Sequence, residues 1–144
     1  MTQNNGLVFA DTNIWLYAFI RGQSAEKTPI AQAIISNRRF IISTQVISEI
    51  CVNLIRKASF SEPEVRELVA AFFQKHTVVL LNEEILLGAS LLRDRYQLAY
   101  WDSLLLSAAL NAGATQFYSE DMQNGQVIDG RLQIVNPFAQ KPAG

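Results

Sequence analysis

Short apolar runs alternate with longer stretches of helical spacing along almost the whole chain, and this alternation restricts the fold more than any other feature. Residues 7–10, Leu-Val-Phe-Ala, form a brief run of the kind buried in a parallel sheet. Residues 14–20 read as a helix that Gly22 stops. A second helix is expected from Pro29 to about Asn37, with Thr28 as cap and Pro29 at its first position. Residues 40–43 read as the second strand. After it, Val46, Ile47, Ile50, Cys51, Leu54 and Ile55 recur at helical spacing and define one buried face. Ser61-Glu62-Pro63-Glu64 is a capping box that launches a helix with the stripe Val65, Leu68, Val69, Phe72 and Phe73. Residues 78–81 read as the third strand. Asn82 then caps a helix with Glu83 and Glu84 early and Arg93 and Arg95 late, matched to the helix dipole. Residues 101–111 are apolar enough for a helix buried on most sides, ended by Gly113. Residues 115–118 read as the fourth strand, and the polar stretch 120–130, with two glycines, as a loop. Ile134-Val135 supplies a short last strand before Asn136-Pro137.

Strands alternating with helices imply βαβ crossovers. The expected fold is therefore α/β, a three-layer α/β/α sandwich around a central, mainly parallel sheet of four to five strands. No repeat or linker divides the 144 residues, so one domain, 1–144, is expected, with about 137–144 as a flexible tail.

Composition removes several functional classes. With 49% apolar and 17% charged residues the chain is an ordered globule. The lone Cys51 excludes an internal disulfide, and no CxxC pair offers a zinc ribbon or thiol redox site. A histidine metal cluster or a Ser-His-Asp triad would rest on His76 alone, and that residue reads as an ordinary surface or strand-edge histidine. The N-terminus lacks a basic segment followed by a cleavable apolar stretch. The longest apolar run, 104–110, is broken by Ser107 and falls far short of the ~20 residues that span a bilayer. A cytoplasmic protein without membrane contact is expected. A net charge of −1 is not that of a strong nucleic-acid binder, so any such partner must be held by local basic residues and metal ions.

In open parallel sheets, ligands bind beyond the carboxyl ends of the strands. Asp11 follows the first strand directly, and Asp121 lies a few residues past the fourth. Glu49 sits early in the helix after the second strand, with Asn53 at i+4 on the same face. Asp102 opens the most buried helix, where the N-terminal dipole favours its ionised form. Each acid alone has an ordinary reading: Asp11 and Asp102 as caps or first-turn acids, Glu49 on an exposed helix edge, Asp121 in a solvated loop. Together they form a set at one rim. Clustered carboxylates repel one another, and a hard divalent cation relieves this; all-oxygen ligands suit Mg²⁺ or Mn²⁺. Such a centre can drive phosphodiester hydrolysis without a histidine base.

These residues also carry a family resemblance. Leu7-Val8-Phe9-Ala10-Asp11-Thr12-Asn13 resembles the opening of PIN-domain nucleases. Ser48-Glu49, Tyr100-Trp101-Asp102-Ser103 and Tyr118-Ser119-Glu120-Asp121 resemble the family's other acidic motifs, and Ile134-Val135-Asn136-Pro137-Phe138 its ending. The match runs in order over nearly the whole chain, and size and layout are most similar to VapC-like toxins of bacterial toxin–antitoxin pairs. The resemblance implies a PIN-like fold, homodimers, Mg²⁺ or Mn²⁺ dependence and endoribonuclease activity on RNA such as tRNA or rRNA. It also implies inhibition by a small antitoxin protein. By position it makes Asp11, Glu49, Asp102 and Asp121 the acidic ligands, with Thr12 and Ser119 as hydroxyl neighbours and Asn13 and Asn53 in support. Glu120 competes for the fourth role; the family's order of hydroxyl, variable residue and acid favours Asp121.

Arg21, Lys27, Arg56, Lys57, Arg93 and Arg95 are candidate RNA contacts, though each also reads as a solvated charge. Trp15 and Trp101 could stack on bases; Trp15 reads rather as core. One rival is a phosphatase with an aspartyl nucleophile after the first strand, but that chemistry wants a second acid where Asn13 stands. An RNA-processing nuclease without a toxin role, and a binding module that kept the fold, complete the range of functions open to such a chain.

Overall fold

Successive side chains of a strand face opposite sides of its sheet, yet Val8, Phe9 and Ala10 are all fully buried. Such a strand must be central and covered on both faces, and a computed structural model, which describes residues 6–139, places it so. The elements run β1 (Leu7–Ala10), α1 (Thr12–Phe19), α2 (Lys27–Ser36), β2 (Ile41–Ser43), α3 (Thr44–Ala58) and α4 (Glu62–Lys75). They continue with β3 (Thr77–Val79), α5 (Glu83–Arg95), α6 (Tyr100–Asn111), β4 (Ala114–Tyr118), β5 (Val127–Ile128) and β6 (Leu132–Val135). The sheet order is β3-β2-β1-β4-β6-β5. All pairs are parallel except β5 with β6. The result is the expected α/β sandwich: α1 packs on α2 and α3, while α5 and α6 form a second helical group.

The sheet has six strands, not four to five, because 120–130 is not all loop. Asp129 and Gly130 both take positive φ, 51° and 67°, and Arg131 N–H closes the turn on the Ile128 carbonyl at 3.0 Å; with Ile128 opposite Leu132, the hairpin loop is residues 129–131. Val127-Ile128 can then pair back on β6.

Caps decide several helix starts. Asp11 accepts from Thr12 N–H and begins α1 two residues earlier than periodicity indicates. α2 begins at Lys27, ahead of the expected start. Thr28 is no cap; its hydroxyl donates to the Tyr17 carbonyl at 2.7 Å. The capping box at Ser61 and the Asn82 cap form as expected. In α5, a methyl group on Gly88 would lie 2.6 Å from Ser107 Oγ, so this glycine lets α5 and α6 approach closely.

The core below the sheet's rim is aromatic. Trp15 is 1% exposed and meets the rings of Phe40, Phe72 and His76 at 5.1–5.5 Å. Its indole N–H donates to the Ala10 carbonyl at 3.1 Å, tying α1 to the end of β1. Phe9 stacks on Phe117, its register partner on β4. His76 stands immediately before the edge strand β3, as one of its two expected placements has it, but it is buried rather than on the surface, and its Nδ1 accepts from Phe40 N–H at 3.0 Å. Burial, then Arg39 and Lys75, hold its pKa below the usual histidine value. Phe73 leaves the α4 stripe and is largely exposed, while Phe72 is buried. Of the expected tail, 137–139 are described and Phe138 packs edge-on against Tyr17, whereas 140–144 lie outside the described residues.

Candidate active site

β1 and β4 lie side by side with Ala10 opposite Tyr118, so Asp11 and Ser119 leave the sheet together. The ladder continues past the strands, with Asp11 N–H donating to the Tyr118 carbonyl at 2.9 Å. Ser119, fully buried, joins the two acidic segments: its hydroxyl donates to Asp11 Oδ2 and accepts from Asp121 N–H, both at 3.2 Å. The other Asp11 oxygen accepts from Thr12 N–H at 2.7 Å. Asn13 reaches across from α1 and donates to Asp121 Oδ2 at 3.2 Å.

The remaining acids come from flanking helices. Because β2 neighbours β1, α3 starts at the same rim and brings in Glu49. α6 runs antiparallel to β4, which it feeds through a short turn, so its N-terminus and Asp102 also stand at the carboxyl ends of the strands. Asp11, Glu49, Asp102 and Asp121 thus line one hollow of about 240 Å³, with Thr12, Asn13, Asn53, Lys57 and Trp101 on its walls. Larger hollows elsewhere, of about 260 and 470 Å³, lack this set of acids.

The charges feel one another. Burial, opposed by the bonds from Thr12 and Ser119, and the nearby Asp102 and Asp121 charges push the Asp11 carboxyl up to about 6. Asp102 is raised as well, by burial and then by Asp121, and Glu49 by burial against one bond from Gln45. Thr12 Oγ1 is buried without a hydrogen-bond partner among the described residues. Among those residues no group of three or more His, Cys, Asp or Glu side chains is arranged to hold an ion, so the carboxylates bound an open acidic hollow rather than a closed ligand shell.

The Asp11 shift has a thermodynamic consequence. Its folded pKa lies above the unfolded 3.8, so between about pH 4 and 6 the native state binds more protons and stability falls as pH rises. Asp11→Asn is therefore expected to stabilise the metal-free protein above pH 6, by up to about 3 kcal/mol, with the gain vanishing below pH 4. Urea midpoints across this range in EDTA check it; a gain independent of pH would contradict the shift.

Glu120 points elsewhere. It accepts from Lys27 Nζ and from the Tyr17 hydroxyl, both at 2.6 Å. That leaves Asp121 as the acid of this segment on the hollow. Glu120 thereby engages Lys27, one of the candidate RNA contacts, in an ion pair. Tyr17 was not legible as a participant, because its partner lies 103 positions away. Asn53 donates to the Glu49 backbone carbonyl at 2.8 Å. Arg21 and Arg56 are exposed outside the lining of the hollow. Arg93 lies over the Tyr100 ring at 4.5 Å, and Arg95 pairs with Asp129.

The PIN domain family profile matches residues 8–124, and the chain belongs to that family. No curated protein matches significantly. Among solved structures, a toxin–antitoxin complex from Klebsiella pneumoniae superposes with a TM-score of 0.68 at 18% identity, over 91% of this chain and 97% of that one. VapC20 of Mycobacterium tuberculosis, a sarcin–ricin loop cleaving toxin, gives 0.64 at 15% identity over 79% and 91%. VapBC2 of Rickettsia felis, bound to a promoter DNA fragment, gives 0.61 at 15% over 90% and 99%. At these identities the likeness establishes the fold.

Proposed function

We propose that the protein is a Mg²⁺- or Mn²⁺-dependent endoribonuclease that hydrolyses RNA phosphodiesters at the hollow lined by Asp11, Glu49, Asp102 and Asp121. We further infer that it is a cytoplasmic, homodimeric toxin restrained by a small antitoxin. The observation that carries the nuclease reading is the meeting of four carboxylates, two from strand-end segments and two from helices, at one hollow beside a mainly parallel sheet. The toxin role rests on the similar structures described as toxins or toxin–antitoxin complexes. No helix among the described residues is long and apolar enough to cross a membrane.

The donor chemistry suits a hard divalent cation: every candidate ligand is a carboxylate oxygen, and burial, then the neighbouring carboxylates, raises Asp11 and Asp102. Asp11, Glu49, Asp102 and Asp121 would hold the ion. When bound, it supplies Lewis-acid polarisation of a phosphoryl oxygen and a more acidic water. The chain's own contribution is orientation. Ser119 fixes one face of Asp11 and the backbone at Asp121, and Asn13 fixes the Asp121 carboxylate. Lys57, on the wall of the same hollow, attracts the phosphate backbone towards an otherwise acidic surface.

Purified protein incubated with mixed tRNA and rRNA fragments is expected to cleave in Mg²⁺ or Mn²⁺ and to stop in EDTA. Cleavage indifferent to chelation would overturn the metal reading. Induced expression is expected to arrest growth; unaffected growth alongside active cleavage would leave an RNA-processing nuclease without a toxin role.

A further inference from the structure

Trp101 stands where two hollows meet. One holds the four acids; the other, of about 370 Å³, is lined by Gln45, Ser48, Glu49 and Trp101. The indole is 61% exposed, an unusual placement for so large an apolar surface in a chain whose other tryptophan is buried. It is nevertheless braced. The Tyr100 ring meets it at 5.1 Å and 83°, and the Arg93 guanidinium lies over Tyr100. Arg93 in turn donates to Ser103 Oγ, one helical turn from Tyr100, so three residues of α5 and α6 hold the ladder together. An edge-on contact covers at most one indole face and leaves the other open.

We propose that Trp101 is a stacking platform for one unpaired nucleobase of the RNA, next to the phosphodiester that enters the carboxylate hollow. The inference rests on the nuclease reading above and adds a base subsite to it. An indole face stacks on any base, but a base inside a duplex has both faces covered by neighbours, so the platform takes only a nucleotide free to unstack. The surroundings suit that occupant. Gln45, Ser48 and Asn53 offer hydrogen-bonding groups, and Lys57 offers a cation for the adjoining phosphate. An apolar helix would instead suit the hollow lined by Phe19, Ile35, Leu68 and Phe72, which has no acids.

Trp15 is buried, so quenching of the protein's fluorescence reports on Trp101. In Mg²⁺ and an Asp11→Asn background that holds RNA uncleaved, a short single-stranded RNA is expected to quench the emission, and the same sequence in a duplex is not. Trp101→Ala is expected to weaken single-strand affinity roughly tenfold, the loss of one stacked base, with Trp101→Phe close to the parent. Equal affinity of Trp101→Ala and its parent, with wild-type cleavage intact, would overturn the platform alone. Absence of cleavage by the wild type in metal would overturn the nuclease reading first and the platform with it. A Trp101→Ala change confined to sedimentation, with RNA affinity unaltered, would assign the indole to contact with a second copy of the chain and overturn the proposal.

Discussion

Asp11→Asn is expected to lower RNA cleavage by on the order of a hundredfold or more while leaving the protein folded. Altering only the groups that orient a metal's ligands commonly costs about 10–100-fold, so neutralising a ligand should cost at least the upper end. Asparagine keeps the volume of the side chain and an oxygen to accept the Thr12 N–H bond that starts α1. It loses the charge that Asp102 and Asp121 oppose. Activity and stability should therefore move in opposite directions at neutral pH, which separates loss of a functional charge from simple unfolding. Single-turnover cleavage measured beside urea unfolding checks both. Parallel loss of activity and stability would reduce Asp11 to a helix cap.

Trp15→Ala is expected to cost about 3–5 kcal/mol, the range for removing a large buried aromatic side chain. The indole lies among Phe19, Phe40, Phe72 and His76, contributed by α1, the approach to β2, α4 and the residue before β3. No one of these can collapse into the space without pulling on the others. The substitution also removes the indole donor from the Ala10 carbonyl, one residue before Asp11. Equilibrium urea unfolding measures the loss. A cost below about 1 kcal/mol would mean that this cluster relaxes freely and does not brace the rim.

Much of this architecture was legible because its causes are local. The β1 run, the Ser61 capping box, the Asn82 cap and the apolar α6 each declare themselves within a few residues. The Asp129-Gly130 turn was equally local: an Asp-Gly pair between the apolar Val127-Ile128 and Leu132 is a hairpin signal, masked here by the polar stretch before it and by Arg131. What remained hidden depends on partners distant in sequence. His76 gives no local sign that Phe40 N–H will bond it or that Trp15 will cover it. The Lys27–Glu120–Tyr17 cluster joins the start of α2, the loop after β4 and the middle of α1.

The same distinction applies to the acids. Strand ends and helix starts place Asp11, Asp102 and Asp121 at a rim once the sheet is parallel, and the hollow they line follows from that topology. The orienting bonds from Ser119 and Asn13 each span 108 positions and needed the fold itself. Glu49 is exposed overall, as a helix-edge reading has it, though partly desolvated at the hollow; the placement of α3 beside β1 and β2 brings it there.

Calorimetric titration of Mn²⁺ into the wild type and into Asp102→Asn tests the proposed metal centre most directly. Saturable binding by the wild type, weakened tenfold or more in the variant with its circular dichroism unchanged, is the expected result. Equal affinity in the two proteins, or no binding by the wild type, would contradict it.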